Sequence, residues 1–422
     1  MVVPYHVGEM LRRVRARFFP TGTEVRMQPR PDRAPLLRPQ RRASAASIGR
    51  YWDRLEEGAA TPEDRAELAD PATLDRAEVY SRNIENMIGT VKLPVGVIGP
   101  VRINGLHADG DYPVPLATTE AALVASYGRG AYAANRAGGI TTAVLYEGVL
   151  RSPAFVFDTV LEAGTFVDWV VSNVDDLKAA AEATTRHGKL TSLEPLIDNN
   201  VVFLLCRYTT GDAAGQNMVT IATHALCTAV LAGTPVAPRR WYVEGNFSGD
   251  KKASALATIT GRGRKVAASV TIPNAVVEDV LQTTTDEMVD YARVANLGAL
   301  LSGQLGAQAH YANGLAAFYI ATGQDAACVA ESAVGFTRFE RREGGLFVSV
   351  TMPNILVGSV GGGTGLPSQS AALSLMGLKG AGHGAELAEV CAALCLCGEI
   401  SIVAAIAADH FTRAHEGLAR HR

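Results

Sequence analysis

The order of predicted strands and helices between residues 152 and 243 constrains the fold more than any other feature of this sequence. The hydrophobic pattern predicts, in order, a strand (154–157), a helix (164–183), two strands (190–197 and 201–208), a helix (214–232) and a strand (240–243). This β-α-β-β-α-β order is that of the ferredoxin-like split unit. We therefore predict a second domain over residues 153–243, inserted into a larger one.

The larger domain is predicted to combine residues 85–152 with residues 244–422. Its expected elements are a small-residue helix (120–137), a strand (265–272), an amphipathic helix (274–296), a hairpin at Gly344-Gly345 and a long C-terminal helix (387–416). The most apolar stretch, 390–408, is interrupted by Gly398 and Glu399, whereas a membrane span needs about 20 predominantly apolar residues. We expect a buried central helix in an α+β fold, and no membrane span.

Residues 1–84 are predicted to be a basic arm followed by a small helical region. The first 42 residues carry ten arginines against three acidic residues. A mobile tail, a subunit contact and an anion-binding arm all agree with this pattern. After it, Thr61 followed by Pro62, Glu63 and Asp64 predicts the start of a helix.

Charge and cysteine content exclude several classes of protein. The net charge is −3, which argues against a protein built mainly to bind nucleic acid. Six cysteines in 422 residues are too few for a disulfide scaffold, and the N-terminus does not resemble a signal peptide. We expect a cytoplasmic protein with free thiols. Cys391, Cys395 and Cys397 lack a zinc-binding pattern, so no metal is predicted.

Two glycine-containing loops could approach a ligand closely. The chain has no phosphate-binding P-loop and no G-x-G-x-x-G that opens a helix after a strand. Residues 358–365 follow an apolar run and form either a ligand loop or a tight structural turn. Residues 209–217 open a predicted helix, whose free N–H groups suit a pyrophosphate. Asp212 in this loop could equally be only a helix cap.

Four residues are candidates for proton transfer or charge stabilisation. Lys251, in Asp250-Lys251-Lys252, could stabilise a developing oxyanion, although loop charges are usually only solvated. Glu120 and Asp325 lie in small-residue, largely apolar stretches, where desolvation would favour a protonated carboxyl and a general acid. Hydrogen-bonded structural carboxylates are the alternative. His415 could be a general acid or a surface residue.

The order of these segments resembles the 3-hydroxy-3-methylglutaryl-CoA reductase family, class I form. The resemblance runs from about Glu85 to the C-terminus, about four fifths of the chain, and the matching segments are 85–89, 94–100, 117–120, 212–217, 250–252, 323–327 and 358–364. The resemblance implies a soluble enzyme in which NADPH reduces a thioester twice, through a thiohemiacetal and mevaldehyde, to mevalonate and free CoA. The inserted domain would bind NADPH, and the large domain would bind CoA and the acyl group.

The resemblance also implies roles for the candidate catalytic residues. Lys251 would stabilise the carbonyl oxygen, Glu120 would supply protons, and Asp325 would lie between them. Asn313 matches an asparagine that hydrogen-bonds this cluster. His415 would protonate the CoA thiolate as it leaves.

Binding residues follow from the same resemblance. Ser126, Arg129 and Tyr132 match CoA contacts, whereas Arg151 and Lys252 would face the acyl group. The residues expected at NADPH are Thr185, Arg186, Asp212, Ala213, Ala214, Gly215, Gln216, Asn217, Gly361, Gly362 and Arg420. An arginine at position 186 favours NADPH over NADH, because the 2′-phosphate needs a cationic partner.

Three residues depart from the family pattern. Glu244 stands where a serine is usual near the acyl carboxylate, Ala295 replaces a substrate-facing lysine, and Gly128 replaces an asparagine in the CoA segment. The first two motivate an alternative, a related reductase of a different acyl-CoA. A non-catalytic CoA- or nucleotide-binding protein is a third hypothesis. Because family sites form between subunits, we expect a homodimer or homotetramer.

Overall fold

The chain divides into two units. The computed structural model describes residues 5–18 and 42–409, and contacts between residues separate residues 1–89 from residues 90–422. The predicted site residues His415 and Arg420 lie outside the described residues.

The described part of the first unit is helical. Its helices are α1 (Tyr5–Phe18), α2 (Ala45–Leu55), α3 (Pro62–Leu68), α4 (Pro71–Asp75) and α5 (Ala77–Tyr80). The predicted start at Thr61 is confirmed, because Thr61 and Asp64 form a capping box at the beginning of α3. Ile48 and Trp52 of α2 form the centre of a small hydrophobic core.

The second unit combines strands and helices. Its strands are β1 (Val95–Gly105), β2 (Asp109–Ala117), β3 (Ile140–Arg151), β4 (Ala154–Val156), β5 (Lys189–Asp198), β6 (Val201–Thr209), β7 (Arg240–Tyr242), β8 (Gly263–Pro273), β9 (Phe336–Arg342) and β10 (Gly345–Ile355). Its helices are α6 (Leu123–Arg136), α7 (Val160–Ser172), α8 (Val174–Glu182), α9 (Gln216–Gly233), α10 (Ala255–Thr260), α11 (Asn274–Val276), α12 (Thr285–Ser302), α13 (Tyr311–Thr322), α14 (Val329–Ser332), α15 (Pro367–Leu375) and α16 (Gly384–Ala407).

The described strands of this unit form one continuous sheet. Its main path is β7-β4-β6-β3-β8-β10-β9, while β5 pairs with β6, and β1 pairs with both β2 and β3. Residues 153–243 contribute the order β7-β4-β6-β5, with every pairing antiparallel. Strand β6 also pairs with the end of β3, so this segment continues the sheet of the larger part.

The prediction of one continuous helix over residues 164–183 is wrong, because this stretch forms two helices. Helix α7 ends at Ser172 and α8 begins at Val174. Asn173 has non-helical dihedral angles at the break, and its side-chain amide donates to the carbonyl of Trp169. This local side-chain bond replaces a bond of a continuous helix.

Helix α16 lies in the centre of the second unit. Among the described residues it is the one helix long and apolar enough to cross a membrane, but most of its length is buried inside the protein. It packs against α6, α13 and β8. A Cβ at Gly130 of α6 would lie 1.9 Å from the Cys397 carbonyl oxygen, so glycine is required where these two helices meet. The expected buried helix is therefore confirmed.

Two buried glutamates on α16 are hydrogen-bonded to distant backbone. Glu389 accepts from the N–H groups of His107, Ala108 and Val144. Glu399 accepts from the N–H groups of Ala309 and His310. Buried carboxylates need such partners, and these two tie α16 to neighbouring loops.

Two helix boundaries differ from the predictions. The helix predicted over 274–296 is interrupted after α11 by a π-turn and by Gln282, which has a φ of 55°. Thr284 then caps α12, which continues to Ser302. Helix α16 begins at Gly384 and ends at Ala407, rather than spanning 387–416. The capping box at Thr284 and the backbone angle of Gln282 are local features that apolar periodicity does not report.

Candidate active site

Lys251 lies in the loop between β7 and α10 and pairs with Asp325. The distance from Lys251 Nζ to Asp325 Oδ2 is 2.8 Å, and both side chains are partly exposed. Asp325 follows α13 and also accepts from the N–H of Ala327. The hydrogen bond that Lys251 donates to Asp325 raises the pKa of Lys251, which therefore stays protonated at neutral pH. The site holds a permanent cation that can stabilise a developing negative charge.

The backbone of Lys251 is held in an unusual conformation by a buried ion pair. Its φ is 57°, which is uncommon for a residue with a side chain. The Lys251 N–H donates to Glu331 Oε1 over 3.0 Å. Glu331 is fully buried and is paired with the fully buried Arg262 at 2.6 Å. Backbone strain of this kind persists only where the surroundings impose it, and here they position the lysine.

Asp250 is the centre of a second set of contacts. Its carboxylate binds Arg151 Nη1 at 3.1 Å and Arg262 Nη2 at 3.2 Å. The side-chain amide of Gln216, at the start of α9, donates to Asp250 and accepts from Arg262. Gln216 is predicted at the cofactor, and its side chain connects the start of α9 to the loop of Lys251.

The two predicted glycine loops lie against each other. Ala213 and Val360 form a parallel bridge, and Ser359 N–H donates to the Asp212 carbonyl at 2.9 Å. A Cβ at Gly358 would lie 2.5 Å from the Ala214 nitrogen, so only glycine permits this approach. Gln324, next to Asp325, bonds both the N–H and the carbonyl of Gly358. Both loops therefore adjoin the Lys251–Asp325 pair.

Asp212 is a helix cap, although not of the helix that follows it. Its carboxylate accepts from the N–H groups of Gly382 and Gly384 at the start of α16. Burial opposes ionisation, but these two bonds outweigh it and lower the pKa of Asp212. Helix α9 begins after Gly215, which has a φ of 78°, and no side chain in the described part of the chain caps it. Its first N–H groups are thus not occupied by a capping side chain.

Thr185 and Arg186 lie in the turn between α8 and β5. Thr185 Oγ1 accepts from the N–H groups of His187 and Gly188 and contacts the sulfur of Met218 in the first turn of α9. Arg186 is exposed, and it forms no ion pair with any residue that the structure describes. This turn therefore presents a free guanidinium near the start of α9.

Glu120 and Asn313 form a separate pair at a cavity of about 650 Å³. Asn313 Nδ2 lies 3.1 and 3.2 Å from the two Glu120 carboxylate oxygens. Glu120 is exposed, so the desolvation expected from its apolar neighbours is absent in the single chain. Ala122, two residues later, has a φ of 70° and begins α6. The cavity lies between α6, α12, α13 and α16.

Two of the three predicted CoA contacts line this cavity. Ser126 and Arg129 both reach Ser401 on α16, with Arg129 Nη2 bound to the Ser401 carbonyl at 2.6 Å. Burial lowers the pKa of Arg129. Tyr132 lies further along α6, does not line the cavity, and is 55% exposed.

The sequence reasoning missed a histidine and an acid in the cavity wall. His310 Nδ1 lies 3.3 Å from Glu399, and its ring packs on Tyr127 with centroids 5.3 Å apart. Both residues line the cavity beside Asn313. The sequence signal that could have identified this pair is Glu399, a charged residue in an otherwise apolar helix. A buried carboxylate needs polar partners, so such a residue indicates that other polar groups lie near it.

The predicted catalytic residues form two pairs, and these lie at opposite ends of α13. Asn313 is in the first turn of this 12-residue helix, and Asp325 is three residues beyond its last residue. At 1.5 Å per residue the two positions are separated by roughly 15 Å. Lys251 and Asp325 do not line the cavity that contains Glu120. One chain therefore does not bring Glu120 and Lys251 together.

No group of three metal-binding side chains occurs within residues 5–18 and 42–409.

Comparison with known proteins identifies similar sequences and a similar fold. The family model described as hydroxymethylglutaryl-coenzyme A reductase matches residues 50–420. The 3-hydroxy-3-methylglutaryl-coenzyme A reductase of Methanothermobacter thermautotrophicus is 43% identical over 82% of this chain and 88% of its own length. The enzyme of the same name from Aeropyrum pernix is 44% identical over 82% of this chain and 84% of its own.

A solved structure extends the comparison to the fold. It is the NADPH-bound class II 3-hydroxy-3-methylglutaryl-CoA reductase of Streptococcus pneumoniae, with a TM-score of 0.62 at 20% identity. The match covers 84% of this chain and 86% of that one. At this identity the likeness shows the fold alone, so the class I form stays a prediction.

Proposed function

The chain belongs to the hydroxymethylglutaryl-coenzyme A reductase family, and on that premise we propose that it reduces 3-hydroxy-3-methylglutaryl-CoA with two NADPH to mevalonate and free CoA. This reaction supplies mevalonate for isoprenoids. The observation that carries the proposal is the Lys251–Asp325 pair, held at 2.8 Å beside two glycine loops. An ammonium group in a preorganised position is what hydride addition to a carbonyl requires.

The residues near the start of α9 fit NADPH. The two loops pack backbone against backbone at Gly358, and Arg186 supplies a cation that has no ion-pair partner among the described residues. The uncapped N-terminus of α9 suits a pyrophosphate. We therefore assign NADPH to residues 153–243 together with residues 358–365, and CoA and the acyl group to residues 85–152 and 244–422. When bound, NADPH supplies hydride.

Lys251 and Glu120 have separate tasks in this reaction. The first hydride adds to the thioester carbon, and the oxygen that gains charge is stabilised by Lys251. Protonation from Glu120, held by Asn313, gives the thiohemiacetal. The thiohemiacetal hydroxyl then returns its proton to Glu120 as the C–S bond breaks, which gives mevaldehyde and CoA thiolate, and His415 would protonate the thiolate. A second hydride reduces the aldehyde, whose oxygen again faces Lys251 and takes a proton.

A second copy of the chain would complete the site. Glu120 and Lys251 lie at opposite ends of α13 within one chain. We propose that Glu120 of one subunit faces Lys251 of another, in a homodimer or homotetramer. Such a shared site needs a symmetric interface that repeats the pairing twice. A cytoplasmic location remains a prediction from the sequence.

The coenzyme stoichiometry tests the proposed function directly. Purified protein with 3-hydroxy-3-methylglutaryl-CoA should oxidise two NADPH for each CoA released, measured by coenzyme absorbance and thiol titration. One NADPH per CoA would indicate release of the aldehyde, and no oxidation with intact CoA binding would support the non-catalytic hypothesis.

Replacement of Arg186 should change coenzyme preference. Arg186→Ala is expected to raise the KM for NADPH about tenfold or more, because a hydrogen bond to a charged group is worth about 1.5–3 kcal/mol. The KM for NADH, which lacks the 2′-phosphate, should stay within about twofold of wild type. Lys189→Ala, which removes an exposed cation paired with Glu182, is the matched control. An equal increase for both coenzymes would contradict a phosphate contact.

A further inference from the structure

Arg151 is a buried cation that already has two anionic partners. Its side chain is 7% exposed, and Nη1 lies 3.0 Å from Glu244 Oε2 and 3.1 Å from Asp250 Oδ2. Nη2 contacts Gln216 Oε1 at 3.4 Å. A buried guanidinium between two carboxylates has its charge more than balanced, so its attraction for a further anion is weak.

Two neighbouring cations, Arg262 and Lys251, are also paired with carboxylates. Arg262 is paired with Glu331 and Asp250, and Lys251 with Asp325. Lys252, which is exposed, donates to the carbonyl of Asp250 in its own loop. Around Lys251 the structure therefore describes no buried cation whose charge is left for an incoming carboxylate.

Arg151 is close to the position where the acyl chain would lie. It binds the side chain of Asp250, and Lys251 is the next residue. Adjacent Cα atoms are about 3.8 Å apart, so an acyl group whose carbonyl meets Lys251 extends into reach of this network. Glu244 is the second carboxylate on this guanidinium and lies in the same loop as Lys251, seven residues before it.

Glu244 also retains an unused acceptor. Its Oε1 is buried and has no hydrogen-bond partner among the described residues. The Nε of Arg151 is also buried and also lacks a partner among them. Buried polar atoms are usually paired, so the unmet acceptor of Glu244 and the unmet donor of Arg151 together favour a ligand group that can both donate and accept. A hydroxyl can donate to Glu244, whereas a carboxylate can only accept and would be repelled.

We propose that Glu244 determines acyl specificity by competing with the distal carboxylate of the substrate for Arg151. This inference rests on the proposed reductase function. It means that an acyl group ending in a carboxylate must displace Glu244, which raises its KM. Acyl-CoA thioesters that carry a hydroxyl but no distal carboxylate escape this competition.

The test compares two substrates that differ at this group. We would measure kcat and KM for 3-hydroxy-3-methylglutaryl-CoA and for 3-hydroxybutyryl-CoA, which lacks the distal carboxylate, in wild type, Glu244→Ser and Glu244→Gln. Both variants should raise the kcat/KM ratio in favour of the first substrate about tenfold, through a lower KM, because a charge-assisted contact to Arg151 is gained. Glu343→Ser, in the turn between β9 and β10, is the matched control.

A binding measurement keeps the outcome independent of turnover. The dissociation constant of free 3-hydroxy-3-methylglutarate, measured by calorimetry, should fall about tenfold in Glu244→Gln, which keeps the size of the side chain and removes its charge. An unchanged selectivity ratio and unchanged dissociation constant would overturn the proposal and leave Glu244 a structural partner of Arg151. Wild-type turnover of 3-hydroxybutyryl-CoA alone would refute the proposed function while supporting the role of Glu244.

Discussion

Lys251→Ala should abolish both reductive steps, with kcat for 3-hydroxy-3-methylglutaryl-CoA and for free mevaldehyde lowered by about 10²–10³ or more. The same ammonium faces the oxygen that gains charge in each step, so neither substrate avoids the loss. Its position depends on the Asp325 ion pair and on the bond from its N–H to Glu331. Coenzyme oxidation under saturating substrate measures the effect, and an unchanged melting temperature shows that the fold is intact.

The same variant tests whether the site is shared. Co-expression of Lys251→Ala with Glu120→Gln should restore up to about a quarter of wild-type activity, because about half of the dimers are mixed and each mixed dimer has both residues intact at one of its two sites. Each variant alone should remain inactive. Loss of mevaldehyde reduction that is much smaller than loss of thioester reduction would contradict the role of Lys251 in both steps, and failure of complementation would contradict the shared site.

Breaking the Arg262–Glu331 pair should cause the largest loss of stability. Both side chains are fully buried, and removing one partner of such a pair costs about 3–5 kcal/mol because an unpaired charge is left inside. We expect Glu331→Ala to lower the free energy of unfolding by this amount, measured by urea denaturation. Arg338→Ala, which removes an exposed pair with Glu340, should change it by less than about 1 kcal/mol.

A double variant separates stability from catalysis. Arg262→Met combined with Glu331→Leu removes both charges, so it should recover part of the stability lost by either single change. Activity should stay low, because Lys251 N–H has lost the acceptor that holds its φ of 57°. Recovery of both stability and activity would show that the pair does not position Lys251.

Local order was predictable because it depends on near neighbours. The six elements predicted for residues 153–243 occur in the predicted order, with the first helix divided into α7 and α8, and the hairpin at Gly344-Gly345 joins β9 and β10. The breaks at Asn173 and Gln282 were not predictable, because single side-chain bonds and one backbone angle produce them. His310 was also not predicted, because it is a candidate only through its contact with Glu399, which lies 89 residues later in the sequence.

The sequence by itself determined the order of strands and helices, the buried central helix, and the residue types that resemble a reductase family. These follow from hydrophobic periodicity and from motifs of adjacent residues. Only the tertiary structure decided which charges meet. Glu244 reaches Arg151 across 93 residues, Glu331 reaches Arg262 across 69, and α13 keeps Glu120 apart from Lys251. A charged group needs a partner only once the sheet and the helices pack and exclude water from it. Which groups then meet depends on segments far apart in the sequence, so local sequence patterns do not predict these pairs.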